Sequence, residues 1–113
     1  MSASAPATLD ESIDWLRAAF RAEAAGNLEA CYQLHLTGPR GGEFYLRVKD
    51  GCCEVGRGRT EPVHARLRLA AGDWFDLLAR RANADLLVME GRLEIEGDLS
   101  LANRLRSLFR PAS

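Results

Sequence analysis

Two histidines, three cysteines and two close pairs of carboxylates are the residues whose types could serve catalysis or metal binding in this chain. Such chemistry needs a nucleophile beside a base, a positioned proton donor or acceptor, or ligands converging on a metal. His35 and His64 both fall on the polar phase of alternating segments, which predicts imidazoles on an exposed sheet face. Cys31, Cys52 and Cys53 show no CxxC spacing and no histidine pair to complete a zinc site. Three reduced thiols are the expectation, and they suit a reducing, cytoplasmic setting. Cys53 is a nucleophile only beside an activating base, and the sequence predicts none there. Asp73 and Asp76 read as a helix cap and a solvated helix position, and Glu94 and Glu96 as the outer face of a strand. The glycines at 41, 42, 56 and 58 lie between strands, not ahead of a helix as a phosphate-cradling loop requires. The expectation is a non-enzyme with no catalytic residues, no metal and no cofactor.

The apolar pattern supplies the elements. Thr8 followed by Glu11 fits a capping box, and Ile13, Leu16, Ala19 and Phe20 recur at helical spacing. An amphipathic helix is predicted over residues 9–25, stopped by Gly26-Asn27. Residues 1–7 have no such stripe and read as a flexible tail ahead of a single domain, 8–113. The period then changes to two. Tyr32, Leu34 and Leu36 alternate with polar residues, as do Phe44, Leu46 and Val48 after the turn at 38–42. Asp50-Gly51 is a two-residue hairpin signal, because both turn positions need positive φ. Cys53 and Val55 form the inner face of a third strand, and Val63, Ala65, Leu67 and Leu69 that of a fourth. Four strands on short connections predict an antiparallel meander whose wet face carries Arg47, Lys49, Arg66 and Arg68. Asp73 reads as the cap of a helix bearing Trp74, Phe75, Leu77 and Leu78, and residues 85–89 as a short second helix. Leu93 and Ile95 mark a fifth strand. Asp98 caps a last helix with Leu101, Ala102, Leu105, Leu108 and Phe109 on one side, and Pro111 ends it.

Composition excludes several partners. A net charge of −1 gives no electrostatic case for nucleic acid, and at most transient contact with a membrane. Fourteen arginines stand against one lysine, Lys49. They offer planar forks for carboxylate or phosphate, yet compositional bias accounts for them as well. Arg104, Arg106 and Arg110 near the last helix's end read as complements to its dipole, with head-group contacts as the alternative. The longest apolar stretch, Leu86 to Met89, is far too short to span a bilayer, and no secretory signal is visible.

One segment carries a resemblance. Gly91-Arg92-Leu93-Glu94-Ile95-Glu96-Gly97-Asp98, followed by Leu101-Ala102 and Leu105, resembles the closing strand–turn–helix of the sterol carrier protein 2 family. Phe44 to Gly51 is similar to that family's second strand and turn, and Leu67-Arg68-Leu69 running into Asp73-Trp74-Phe75 to its fourth strand and following helix. The resemblance implies an α+β fold: a five-stranded, mainly antiparallel sheet with helices packed on one face around an apolar cavity. It implies a carrier for a small hydrophobic ligand (a fatty acid, acyl-CoA, sterol or isoprenoid) without catalytic residues. On that resemblance the wall residues are Leu46 and Leu67 on the sheet, with Phe75, Leu78, Leu101 and Leu105 on the helices. The chain ends Pro111-Ala112-Ser113, without a peroxisomal tripeptide, which suits a bacterial stand-alone member. An accessory or scaffold role in isoprenoid quinone biosynthesis is the alternative, and a homodimer or a biosynthetic-enzyme partner stays open.

Overall fold

The computed structural model describes residue 6 and residues 8–109, so Pro111 and most of the predicted tail lie outside the described residues; Pro6 itself is buried. Thr8 opens α1 (Leu9–Ala19), its Oγ1 accepting from the Glu11 N–H at 3.1 Å. The helix expected to reach residue 25 stops earlier. Phe20 is extended, with φ −62° and ψ 135°, and a separate turn, α2 (Ala22–Ala25), follows. Phe20 leaves the helix to bridge Phe109, their rings meeting edge-on at 5.9 Å, while the Arg21 N–H donates to the Leu108 carbonyl at 2.7 Å. Tertiary partners outweigh local helical bonds at this point, as they do for most short helices.

The strands β1 (Ala30–Thr37), β2 (Gly42–Lys49), β3 (Cys52–Arg57), β4 (Ala65–Ala70) and β5 (Leu93–Gly97) make one sheet, ordered β3-β2-β1-β4-β5. β1 to β3 form the expected meander, and Asp50 (φ 54°) and Gly51 (φ 73°) both occupy the left-handed region. β4 departs from the expectation. It crosses to the far side of β1 and pairs with it in parallel, so the predicted four-strand meander is really three strands and a crossover. Three inter-strand spacings come to about 14 Å, and residues 58–64 can reach ~23 Å when extended. The crossing loop is fastened to the outer sheet face. The Gln33 amide donates to the carbonyls of Phe44 and Gly58 at 3.1 and 2.9 Å and accepts from the Thr60 N–H at 3.0 Å. Gln33 is therefore buried although it sits on the polar phase of its strand.

α3 (Ala71–Leu78) starts directly off β4, with no loop between, so its N-cap falls at Ala70 and not at Asp73. Asp73 lies in the first turn, where its charge meets the helix dipole, and its carboxylate is gripped by Arg92, with Nε to Oδ2 at 3.2 Å. α4 (Ala84–Met89) is capped by Asn83. After β5, Gly97 turns at φ 92°, and a Cβ there would meet the His64 carbonyl oxygen at 2.5 Å. The Asp98 N–H donates to that same oxygen at 2.9 Å, and the Asp98 carboxylate caps α5 (Leu99–Leu105) through the Leu101 N–H at 3.1 Å. A 3₁₀ turn, Arg106–Leu108, follows. The helices cover one sheet face only, α1 over β3, α3 and α5 over β4, and α4 against β5.

Candidate functional site: the layer between sheet and helices

Strand register decides what faces the helices. Val55, Leu46, Tyr32 and Ala65 form one inward row across the sheet, and Phe44, Leu34, Leu67 and Ile95 form the next. Period-two alternation gives both rows, because each pairing keeps the apolar phase on one side. The helices are fixed above these rows by polar ties at the seams. The Trp74 indole N–H donates to Ser12 Oγ at 2.7 Å, joining α3 to α1 in a fully buried contact, and its ring lies 5.7 Å from that of Phe44. The Tyr32 hydroxyl donates to the Leu101 carbonyl at 2.9 Å and so ties the central strand to α5. Burial pushes that phenol up to about 12, so it stays protonated and donating. Arg57, inward on β3, pairs with Asp10 of α1. Arg104 does complement a helix C-terminus, but that of α2: it donates to the Ala25 carbonyl at 3.0 Å and the Ala24 carbonyl at 3.3 Å.

All six residues expected on the wall lie in this layer. Leu46, Leu67, Phe75 and Leu105 are buried, and Leu78 and Leu101 are half-buried against them. The structure packs them together in one apolar cluster. Two concavities lie at the surface of the described residues, the first among polar turn residues and the second at the edge of this layer between α1 and β3. One, of about 510 Å³, is lined by Gly26, Asn27, Glu29, Asp50 and Gly51; the other, of about 300 Å³, by Asp10, Ile13, Asp14, Arg17 and Arg57. Dispersion and the hydrophobic effect close an unfilled apolar layer, since an empty gap forfeits contacts on both of its sides.

The groups with chemistry sit outside this layer or are inert in it. Burial pushes the Cys53 thiol up to about 12, with Glu54 adding to the effect, so no thiolate nucleophile forms there at neutral pH. His64 Nδ1 accepts from the Cys31 N–H at 2.9 Å, a structural bond at the sheet margin. His35 Nδ1 lies 3.1 Å from Glu43, which also receives Arg59 at 2.6 and 3.1 Å. The hydrogen bond from Arg59 is the chief reason that the Glu43 carboxyl is held below its ordinary range. Among the described residues no three His, Cys, Asp or Glu side chains converge to hold a metal.

Sequence reasoning missed two kinds of residue. Ser12 interrupts the apolar stripe of α1, a polar residue at a core position, and that mismatch was the available signal for its Trp74 partner. Leu86, Val88, Met89 and Leu99 are large, apolar and exposed, and only the shortness of α4 hinted that it could bury so little.

The match to known proteins is to the family model of the SCP-2 sterol transfer family, over residues 14–110. The chain belongs to that family. Hydroxysteroid dehydrogenase-like protein 2 of Xenopus laevis is 26% identical over 102 residues, covering 89% of this chain and 24% of its own length. The chain thus spans about a quarter of that relative. Among solved structures, sterol carrier protein 2 of Yarrowia lipolytica in its apo form superposes with a TM-score of 0.74 at 23% identity, over 90% of this chain and 89% of that one. The sec-alkylsulfatase Pisa1 from Pseudomonas sp. gives 0.82 at 15% identity, over 95% of this chain and 17% of the enzyme. A UbiJ-SCP2 ubiquinone synthesis protein gives 0.60 at 16% identity, over 75% of this chain and 69% of that chain. These likenesses establish the fold, a five-stranded sheet with helices on one face that occurs both alone and within much longer chains.

Proposed function

We propose that this chain is a non-catalytic carrier that holds one chain-like apolar ligand between the inner sheet face and the helices. Membership of a lipid-transfer family supports lipid binding at the coarse level. The observation that carries the finer reading is the apolar layer itself. It is continuous from Leu46 to Leu105 and ends at β5 in a half-buried margin of Leu78, Ile95 and Leu101. A fatty acid, acyl-CoA, sterol or isoprenoid chain entering there meets Leu78, Ile95 and Leu101 first, then Leu67, Phe75 and Leu105, and Leu46 last. Burying a dozen methylenes gains about 10 kcal/mol gross. That offsets much of the roughly 4–15 kcal/mol lost on association, so no charged anchor inside the layer is needed. The ligand's space is created as it enters, at the expense of helix–sheet contacts.

A second reading is favoured by the likeness to the UbiJ-SCP2 protein: a scaffold that holds enzymes acting on an isoprenoid, or that presents the isoprenoid to them. Both readings share the apolar layer and differ in whether a protein partner is needed. Native mass spectrometry of the protein isolated from its own host tests them. A carrier is expected to show an added mass that organic extraction identifies as lipid. A protein arriving bare, and failing to quench or enhance any of a series of fluorescent fatty acids and isoprenoids, overturns the carrier. Co-purification of biosynthetic enzymes from the same preparation supports the scaffold.

A further inference from the structure

Inside the apolar layer the carrier reading leaves one polar group without a part to play. Tyr32 is fully buried on the central strand, in the inward row that also holds the wall residue Leu46. Towards β5 that row ends in small residues: Ala65 is the register partner of Tyr32 on β4, and Gly97 that of Ala65 on β5. No large side chain of the row stands between the Tyr32 ring and α5, and its hydroxyl reaches the Leu101 carbonyl at 2.9 Å. The phenol thus brings a hydrogen-bonding group to a wall residue at the half-buried margin where the ligand enters. A phenylalanine ring would fill nearly the same space and need no partner, so packing alone does not account for the hydroxyl.

The two ends of this bond differ in what they lose when it breaks. Leu101 lies within α5, where its carbonyl also accepts from the backbone N–H four residues on, so it keeps a partner. The hydroxyl is buried and protonated, and without Leu101 its proton has no acceptor. Non-bonded carbons keep about 3.5–4 Å from their neighbours. An alkyl chain therefore cannot lie between two oxygens 2.9 Å apart, and one passing from Leu101 to Leu67 beneath α5 parts them. A pure hydrocarbon then leaves a buried donor unpaired, whereas a lipid with an oxygen at that depth takes the proton in place of Leu101. The tail goes deepest, towards Leu46, so the end left beside Leu101 is the head. Of the charges acting at the phenol, the cation of Arg104 outweighs the anion of Asp98, which favours an electron-rich oxygen there.

We propose that Tyr32 is the specificity-determining contact of the ligand site: on loading, its hydroxyl passes from the Leu101 carbonyl to the carboxyl or carbonyl oxygen at the head of a chain-like lipid. The layer's other buried donor, the Trp74 indole N–H, has no such exchange to make, because Ser12 holds it between α1 and α3. The inference rests on the carrier reading and deepens it by naming the ligand class. Chains that end in a carboxyl or acyl carbonyl are preferred over hydrocarbons of the same size.

The test compares wild-type protein with Tyr32→Phe, using two fluorescent probes: cis-parinaric acid, which ends in a carboxyl, and diphenylhexatriene, a hydrocarbon. Affinity for the acid should fall about tenfold in the variant, the worth of one hydrogen bond, while affinity for the hydrocarbon holds or rises. A loss for the acid no greater than that for the hydrocarbon, or a gain for both, makes the hydroxyl a clasp for α5 only. That result overturns the inference and leaves the carrier intact, as does wild-type binding of the hydrocarbon alone. Wild-type protein that binds neither probe overturns the carrier reading itself. A second measurement needs no mutation and so does not depend on the variant folding. In wild-type protein loaded with palmitic acid, nuclear Overhauser contacts should run from the Tyr32 ring to the C2 protons beside the carboxyl. Contacts from that ring to the chain's terminal methyl alone, or to no part of the bound acid, overturn the inference.

Discussion

The two halves of the sheet are covered differently. Over β1 and β2 the inward residues Tyr32, Leu34, Phe44 and Leu46 are sealed to 0% exposure, and α1 is fastened at the adjoining β3 by Arg57–Asp10 and by Arg17, which donates to the Val55 carbonyl at 2.6 Å. Over β4 and β5 the same sheet face carries the less completely covered Leu67 and the half-buried Ile95, under short helices whose own Leu78 and Leu101 are half-buried. On the carrier proposed above, the first half stabilises the domain and the second yields to the ligand. Local stability in proteins follows buried contact in this way, and binding regions are drawn from the less stable end. A carrier needs both, because the space for a ligand has to open without the sheet coming apart.

The strongest way to break this contrast is a matched pair of cavity mutants. Leu46→Ala should cost about 2–5 kcal/mol in chemical denaturation. Ile95→Ala, on the looser half, should cost less than half as much while weakening lipid affinity more than Leu46→Ala does. Equal destabilisation by the two would remove the distinction between halves. A smaller effect is expected at the seam between α1 and α3. Ser12→Ala leaves the buried Trp74 indole N–H without its acceptor and should cost about 1–3 kcal/mol. A loss below about 0.5 kcal/mol, within the range of surface changes, would mean that the seam is not a fastening.

The smallest effect belongs to the outer face, which takes no part in the proposed binding. Glu43 is held below its ordinary 4.5 mainly by the hydrogen bond from Arg59. A depressed carboxyl contributes stability that is present above the unfolded value and is lost as pH falls through the folded one. Glu43→Gln should therefore lower stability slightly at neutral pH, converge with the wild type as pH falls below 4.5 and so flatten the acid limb, and leave lipid binding unchanged. A change in lipid affinity would tie the outer face to the site.

The sequence made one level of this legible and hid another. Elements with a clear period (α1's stripe, the alternation of β1, β2 and β4, the Asp50-Gly51 hairpin, the Asp98 cap) were readable because local chemistry and tertiary demand agree there. The placement of β4 was hidden, since alternation fixes which side of a strand is buried and says nothing of which neighbour it pairs with. The early end of α1 was hidden for a similar reason: Phe20 breaks away for a partner 89 positions along the chain, Phe109. At the proposed site, the shared layer of the six apolar residues was readable from period and resemblance. Whether that layer stands open or closed was not, because it turns on packing volume and on how firmly each helix is tied down.

The central claim is that a lipid chain lies between the inner face and the helices, and a spin-labelled stearic acid with its nitroxide near the chain end reads this directly. In methyl-detected NMR of the loaded protein, Leu67, Ile95, Leu101 and Leu105 should broaden strongly, while Thr37 and Ala70 on the outer face stay sharp. Broadening of the Thr37 and Ala70 methyls with Leu67 and Leu105 unaffected would place the ligand on the other side of the sheet and contradict the account.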